Sequence, residues 1–597
     1  ERDRNVYVMF GSMEGALHLA KSETGEEALA FIPKTFIKNK LKALKNNAVN
    51  TDSAVQAPVF GVDAPWTSAG KYKYTFNTDN SGKVVATDMR IYGGLGKGGV
   101  GLYGLDVGTM NNLTPNPSKL FTINDTTDGY SRMGMVMVKP VVGKIKIGTG
   151  SKATKDVIIF GGGYDKCYED PTFKLNSTPN NINGCSNIAQ AKGNAVYIVD
   201  ASTGALIASV SGSTAGTKNV NVSSMKHSIV SEITTLDRDN DGLIDHLYFG
   251  DLGGQVYRID LQNGQTLGST AGLNTFVRRV TRVLNTSGDT TSDAKSKVLL
   301  NKGLQYRFYT QPSVSFFKSA DTNGKRIAVV NIASGDRSSP LSRQRNDLTE
   351  ANRIFGIIDR DISDQNLYGD TITLSTSELT LDKLASLPFD KVTTPTGTTP
   401  AVAKTKSGVI AAMKSGIFQG WSYPLTYFDG YSNIKHVKSV GTGLALGGIY
   451  YMTAYSPEMQ YDTSVNTCSA QVVGGSERQL YCLPWGICEA ETSKNGIGGF
   501  VRAGKGIQEL ALGAASKDAT NVQVLVGNQT FSEQIVDKNR SGYGKRAFDD
   551  TKPNVLPHTT NGSGTPDDTN GMGTAGVFGN MSGYVLNPQR WYQKSPD

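Results

Sequence analysis

The chain reads as all-β: a β-propeller of six to eight blades, seven preferred, with long inter-blade insertions and one acidic hairpin loop. Two observations predict the class. Glycine is abundant (68 of 597 residues), roughly 11% against a usual ~7%, and Tyr (25) and Phe (21) far outnumber Trp (4), a β-rich and turn-rich composition. Short β-type runs, each broken by a Gly turn, also recur along the sequence. A hairpin with one apolar face cannot bury that face alone, so recurrence means stacking, and radial closure of the stack gives a propeller.

The recurring unit starts at Val6–Gly11, turns, and resumes at Gly15–Leu19 before Thr24-Gly25. A second copy runs from Arg90–Gly94 into Gly101–Asp106, and a third from Val157–Gly161 into Ala195–Asp200. The clearest pairs His246–Asp251 with Gln255–Asp260. Later copies are Ile327–Val330 with Ile354–Asp359, and Leu444–Tyr455. Turn glycines of successive units lie about 65 to 110 residues apart, against ~40–50 for compact blades, so insertions are expected. They are placed at 34–58 (with a Lys-rich helical face over 34–47), 166–193, 272–305 and 341–415. The propeller is expected over 1–537, with 538–597 a Gly- and Asn-rich segment, weakly ordered or completing the last blade.

Net charge is +8, from 61 basic and 53 acidic residues, which permits a polyanionic partner without arguing for one. No run approaches the ~18 apolar residues of a membrane span. The chain opens at Glu1 with neither an initiator Met nor a signal peptide and is read as a mature or truncated piece. The cysteines are Cys167, Cys185, Cys468, Cys482 and Cys488. None forms a C-x-x-C pair, so zinc spacing is absent. Cys167 and Cys185 bracket a polar stretch that suits a disulfide-closed loop, and two of the other three could form a second bridge.

The strongest chemical signal is Asp237-Arg238-Asp239-Asn240-Asp241-Gly242-Leu243-Ile244-Asp245. Carboxylates stand at positions 1, 3, 5 and 9, Gly at 6 allows the sharp turn, and Leu243 at 7 offers a main-chain oxygen. That order of oxygen donors suits calcium. The charge argument is independent of the pattern: crowded carboxylates repel, only Arg238 among them is basic, and a divalent cation removes the conflict. The loop is not an EF-hand, since position 12 is Tyr248 and the flanks are β-like.

Weaker motifs read as turns. Gly94–Gly99 satisfies G-x-G-x-x-G but is followed by a β-like run, and Gly499–Gly506 lacks the Ser or Thr of a phosphate loop. No G-x-S-x-G or H-E-x-x-H occurs, and no catalytic residue is expected.

Several of these segments resemble the C-terminal quinoprotein-like propeller of the PilC/PilY family of type IV pilus tip-associated adhesin and biogenesis proteins. They are Val6–Pro33, Gly93–Asp106, Leu236–Leu261 with its Gly250-Asp251-Leu252-Gly253-Gly254-Gln255, Gly335-Asp336-Arg337 with Pro340 and Asn352-Arg353, and Gly447-Gly448 before Thr453–Pro457. One departure is Ser12-Met13-Glu14 in the first unit. The resemblance implies calcium ligands at Asp237, Asp239, Asp241, Leu243 (main-chain oxygen) and Asp245. It also implies a non-catalytic role in pilus assembly and extension against retraction, twitching motility and adhesion. Minor pilins would be partners and a host-cell receptor a further one, and the address would be the pilus tip (fimbrium) and outer-membrane surface, reached through the periplasm. Two alternatives stand beside it. One is a DNA-capturing tip protein, motivated by the net charge. The other is a quinone-dependent dehydrogenase on the same type of propeller, disfavoured because such enzymes commonly use adjacent cysteines and none are adjacent here.

Overall fold

The computed structural model describes residues 6–526, apart from 35–36, 38–59, 77–81, 269–274, 319–325, 426–435, 459–472, 488–498, 515–520 and a few shorter stretches, together with the strand 578–585. Their regular structure is almost entirely β, in seven sheets of three to five strands. The chain divides into two compact units, residues 1–283 with 365–373, and 284–364 with 374–597.

The first unit holds four sheets in sequence order. Tyr7–Gly11, Leu17–Lys21 and Glu27–Phe31 make the first, and Trp66–Phe76, Gly82–Gly94, Leu102–Thr109 and Asn112–Ile123 the second. The third runs Asn219–Asn221, Leu206–Ser211, Ala195–Asp200, Thr154–Gly161, Val141–Lys146 from edge to edge. Thr234–Leu236, His246–Gly250, Gln255–Leu261 and Val277–Asn285 make the fourth. The second unit holds three. Ser313–Lys318, Arg326–Ala333, Arg353–Asp359, Gly420–Pro424 and Ala385–Ser386 form the fifth sheet, and Lys438–Ser439, Ile449–Ser456, Gly475–Cys482 and Gly499–Lys505 the sixth, with Leu444–Leu446 paired to Ile449–Ser456. Leu510–Ala514, Asn521–Val526 and Phe578–Val585 form the seventh.

Every predicted hairpin pairs as expected: Phe10↔His18, Tyr92↔Gly104, Tyr197↔Phe160, Phe249↔Tyr257 and Val330↔Ile357 are cross-strand partners. The G-x-G-x-x-G stretch is the turn between two strands, Gly96–Gly98 being a single 3-10 turn before Leu102–Thr109. Two stretches expected as insertions contribute strands. Val277–Asn285, inside 272–305, is the fourth strand of its sheet, and Ala385–Ser386, inside 341–415, is an edge strand of the fifth; Arg353–Asp359, in the same stretch, is the strand the repeat predicted. Polar residues hid the first of these, because its arginines are bound by backbone carbonyls from elsewhere. Helices Ala294–Asn301 and Lys406–Lys414 fall in the same two stretches. The expected helix over 34–47 lies largely outside the described residues, as does 538–597 except for Phe578–Val585.

Within each unit, consecutive sheets share a core. Along Thr154–Gly161, Ile158 and Phe160 pack with Tyr92, Leu102 and Phe121 of the second sheet, while Val157 and Ile159 pack with Leu247, Phe249 and Ile259 of the fourth. Alternate residues of a strand point to opposite faces, so a strand buried on both faces reads as an unbroken apolar run. The same division recurs in the second unit: Tyr450, Met452 and Ala454 join Trp421 and Tyr423 of the fifth sheet, while Tyr451 and Leu480 pack with Leu510 of the seventh. Each fully buried large side chain contributes roughly 1.5–3 kcal/mol, which makes these shared layers the main stabilising term.

Cys167 and Cys185 are bonded to each other, closing the expected loop. Cys482 is also disulfide-bonded, and Cys468 and Cys488 lie outside the described residues. No helix among the described residues is long and apolar enough to cross a membrane.

Candidate metal centre

Residues 237–245 connect two antiparallel strands of the fourth sheet, Thr234–Leu236 and His246–Gly250, with Leu236 opposite His246. The loop is closed at its base, where the Asp245 N–H donates to the Leu236 carbonyl at 2.9 Å. The last part is pinned by apolar burial. Leu243 and Ile244 are buried, Ile244 belongs to the core shared with the third sheet, and its N–H donates to the Lys144 carbonyl at 2.9 Å.

The first part is exposed and wraps around Asp237. Asp237 Oδ1 accepts from the N–H of Asn240 (2.6 Å) and Asp241 (3.2 Å), and Oδ2 from Gly242 (2.8 Å). Turning those amides inward takes two left-handed residues, Asn240 (φ 64°) and Gly242 (φ 86°), and Asn and Gly tolerate that region best. Asp239 Oδ1 accepts from Asp241 N–H at 3.3 Å and Asp241 Oδ1 from Leu243 N–H at 2.8 Å. The result brings carboxylate oxygens of Asp237, Asp239 and Asp241 within 4.8 Å of one another, all three residues solvent-exposed.

Asp245 is not in that group of three. It is buried, its Oδ2 accepting from Arg238 N–H (2.8 Å) and Oδ1 from the Asn263 amide (2.9 Å). Burial lifts its carboxyl above the ordinary range, against the pull of those two bonds and of His246. Arg238 places its guanidinium over the Tyr368 ring, 5.8 Å from the centroid.

Beneath the loop lies a buried ionic cluster. Asp260 accepts from His246 Nδ1 (2.8 Å) and from Arg258 Nε (2.8 Å) and Nη2 (3.1 Å), all three side chains being almost wholly buried. Burial opposes ionisation of Asp260, but Arg258 and His246 outweigh it and hold its carboxyl below the ordinary range. Removing one member of such a cluster strands a buried charge. Sequence reasoning singled out none of Asn263, Tyr368 or this cluster as part of the site. Arg258 and Asp260 carried a usable signal, since opposite charges two residues apart on a strand share one face. Tyr368 carried none.

The donors fit a hard cation. Three exposed carboxylates crowd together, and an oxygen-donor cation of the calcium type neutralises such a set. Asp237, Asp239 and Asp241 would hold it directly. The carbonyl of Leu243 and the carboxylate of Asp245 stand at the next two positions of the pattern.

Sheets stacked through shared cores define the chain as a β-propeller protein, and its carboxylate-lined hairpin loop is a candidate cation site. A model of the PilY1 β-propeller domain matches residues 1–380, more than half of the chain, and the chain belongs to that family. The type IV pilus biogenesis factor PilY1 of Pseudomonas aeruginosa (strain UCBPP-PA14) is 28% identical over 281 residues, 46% of this chain and 19% of that protein. The match thus spans a small part of that relative's length. The crystal structure of the Pseudomonas aeruginosa PilY1 C-terminal domain aligns over 88% of this chain and 92% of its own, at 17% identity and a TM-score of 0.47. A quinohemoprotein alcohol dehydrogenase from Comamonas testosteroni aligns over 87% and 64%, at 10% and 0.35. Overlaps of this depth carry over neither residues nor activity.

Proposed function

We propose that this chain is a calcium-binding, non-catalytic protein of the type IV pilus tip, supporting pilus assembly and extension against retraction. Twitching motility and attachment to surfaces or host cells follow from that role. Minor pilins are its partners, and the pilus tip and outer-membrane surface its place of work. Each of the seven sheets among the described residues forms one blade. Membership of the PilY1 propeller family supports the pilus assignment, as does the name of the Pseudomonas relative.

The observation that carries the calcium reading is the convergence of the Asp237, Asp239 and Asp241 carboxylates. When bound, calcium supplies the double positive charge that lets them sit together. Without a bidentate Glu at the twelfth position, the affinity falls between ~10⁻⁶ and 10⁻³ M. Folding of the loop around Asp237 orders the exposed hairpin, and a partner that prefers the ordered form is coupled reciprocally to the ion.

The test is to count surface pili and minor-pilin binding for Asp241→Ala and Asp245→Ala, with and without chelator. The expected result is loss of pili in the variants that matches wild type under chelator. Wild-type pilus number in both variants would end the regulatory reading, and native mass spectrometry with no calcium adduct at millimolar supply would end the site.

A further inference from the structure

We propose that Tyr368 is a positioning residue for the calcium loop, and that residues 365–373 form a strap whose seating is coupled to the state of that loop. The inference rests on the calcium reading and adds to it the element that responds.

Residues 365–373 pack with the first unit although the chain on either side belongs to the second. Two consecutive arginines of Val277–Asn285 grip them. Arg278 Nε donates to the Tyr368 carbonyl at 2.6 Å and its Nη2 to the Asp370 carboxylate. Arg279 donates to the carbonyls of Leu367 and, at 2.8 Å, Gly369. Leu367 is fully buried. This grip sends the Tyr368 side chain to the calcium loop. Its ring stacks on His246 (6.2 Å between centroids, 12° between planes), and its hydroxyl donates to the Leu261 carbonyl at 3.1 Å. The Arg238 guanidinium lies over the same ring. Tyr368 therefore touches the residue after Asp237 and the residue after Asp245, one at each end of the loop.

Arg238 is the only basic residue within 237–245. A guanidinium that entered the carboxylate group would take the oxygens a cation needs, because a fork of N–H donors matches carboxylates well. A ring face offers that guanidinium another place to rest. What holds Arg238 on Tyr368 thus favours the cation, and by reciprocity the cation favours the seated strap.

The experiment is calorimetric titration of calcium into the whole chain, with hydrogen exchange at 365–373 measured with and without the ion. Tyr368→Ala should weaken binding about tenfold, Tyr368→Phe should leave it within about twofold, and Arg238→Gln added to Tyr368→Ala should restore it. Exchange at 365–373 should slow on calcium addition in the wild type. A wild-type chain that takes up no calcium overturns the calcium reading itself. Binding by the wild type with equal binding by Tyr368→Ala overturns this inference alone, as does a loss that Arg238→Gln fails to rescue, which marks a purely structural role. Should Tyr368→Ala fail to fold, unchanged exchange at 365–373 in the calcium-bound wild type is sufficient to overturn it.

Discussion

Asp251 lies wholly buried at the turn between His246–Gly250 and Gln255–Leu261. Its Oδ1 accepts from Gly253 and Gln255 N–H, each at 2.9 Å, and its Oδ2 from the Gln255 amide at 2.8 Å. Burial dominates these bonds and the charge of Arg282, and pushes its carboxyl up to about 7. The folded chain therefore binds this proton more tightly than the unfolded chain, whose carboxyl titrates at 3.8. Between those values the folded state holds more protons, so stability contributed by Asp251 is present at acid pH and lost as pH rises from about 4 to about 7. Asp251→Asn should lower the melting temperature at acid pH, because its NH2 meets the Gln255 donor, and should flatten the slope across that window. Thermal melts at a series of pH values check both; an unchanged slope would show that Asp251 ionises normally. Residues of this kind are opaque in sequence, where Gly250-Asp251-Leu252-Gly253 reads as an ordinary turn.

At the scale of strands, a tryptophan lies over the glycine directly across the sheet. Trp66 is paired with Gly93 and Trp421 with Gly356. A methyl group on Gly93 would lie 2.2 Å from Trp66 Cγ, and one on Gly356 2.1 Å from Trp421 Cε2. Neither ring is free to move aside: Trp66 Nε1 donates to the Gly94 carbonyl at 3.1 Å and Trp421 Nε1 to the Pro484 carbonyl at 2.9 Å. Gly356→Ala should destabilise by about 2 kcal/mol or more through overpacking, read as a lower denaturant midpoint. Gly356→Ala with Trp421→Leu should cost less than the sum of the single changes, and strict additivity would refute the close approach. The disulfide loop belongs to the same scale. Breaking Cys167–Cys185 (sequence separation 18) by changing both to Ser should lower stability by roughly 3 kcal/mol, measurable in the same denaturant series. Its endpoints were legible because two cysteines bracket one polar stretch.

Within each compact unit, stability comes from layers shared between consecutive sheets, so whatever orders one hairpin is felt in the sheets beside it. Ile244 ties the 237–245 loop to the core shared by the third and fourth sheets. Calcium should therefore raise the melting temperature of the intact chain, by an increment equivalent to ~2.7 kcal/mol at a hundredfold excess over Kd. Asp241→Ala should abolish that increment while leaving the calcium-free melting temperature close to wild type, because its carboxylate is exposed. Equal shifts in both proteins would place the ion elsewhere. Within each unit, neighbouring sheets divide the alternate residues of a strand between two cores, which explains why runs such as Val157–Phe160 are apolar without interruption.

Local sequence specifies the hairpins, their turns and the carboxylate order of the 237–245 loop. Each depends on residues a few positions apart, whose backbone angles and hydrogen bonds are set by their immediate neighbours. Long-range packing, by contrast, decided that Asp245 would be buried beside Asn263 while Asp237, Asp239 and Asp241 face solvent. It likewise decided that Val277–Asn285 would complete a sheet, and that Tyr368 would arrive from a distant segment to cover Arg238. Those outcomes turn on which apolar faces close against one another, a balance summed over whole sheets that no local pattern records.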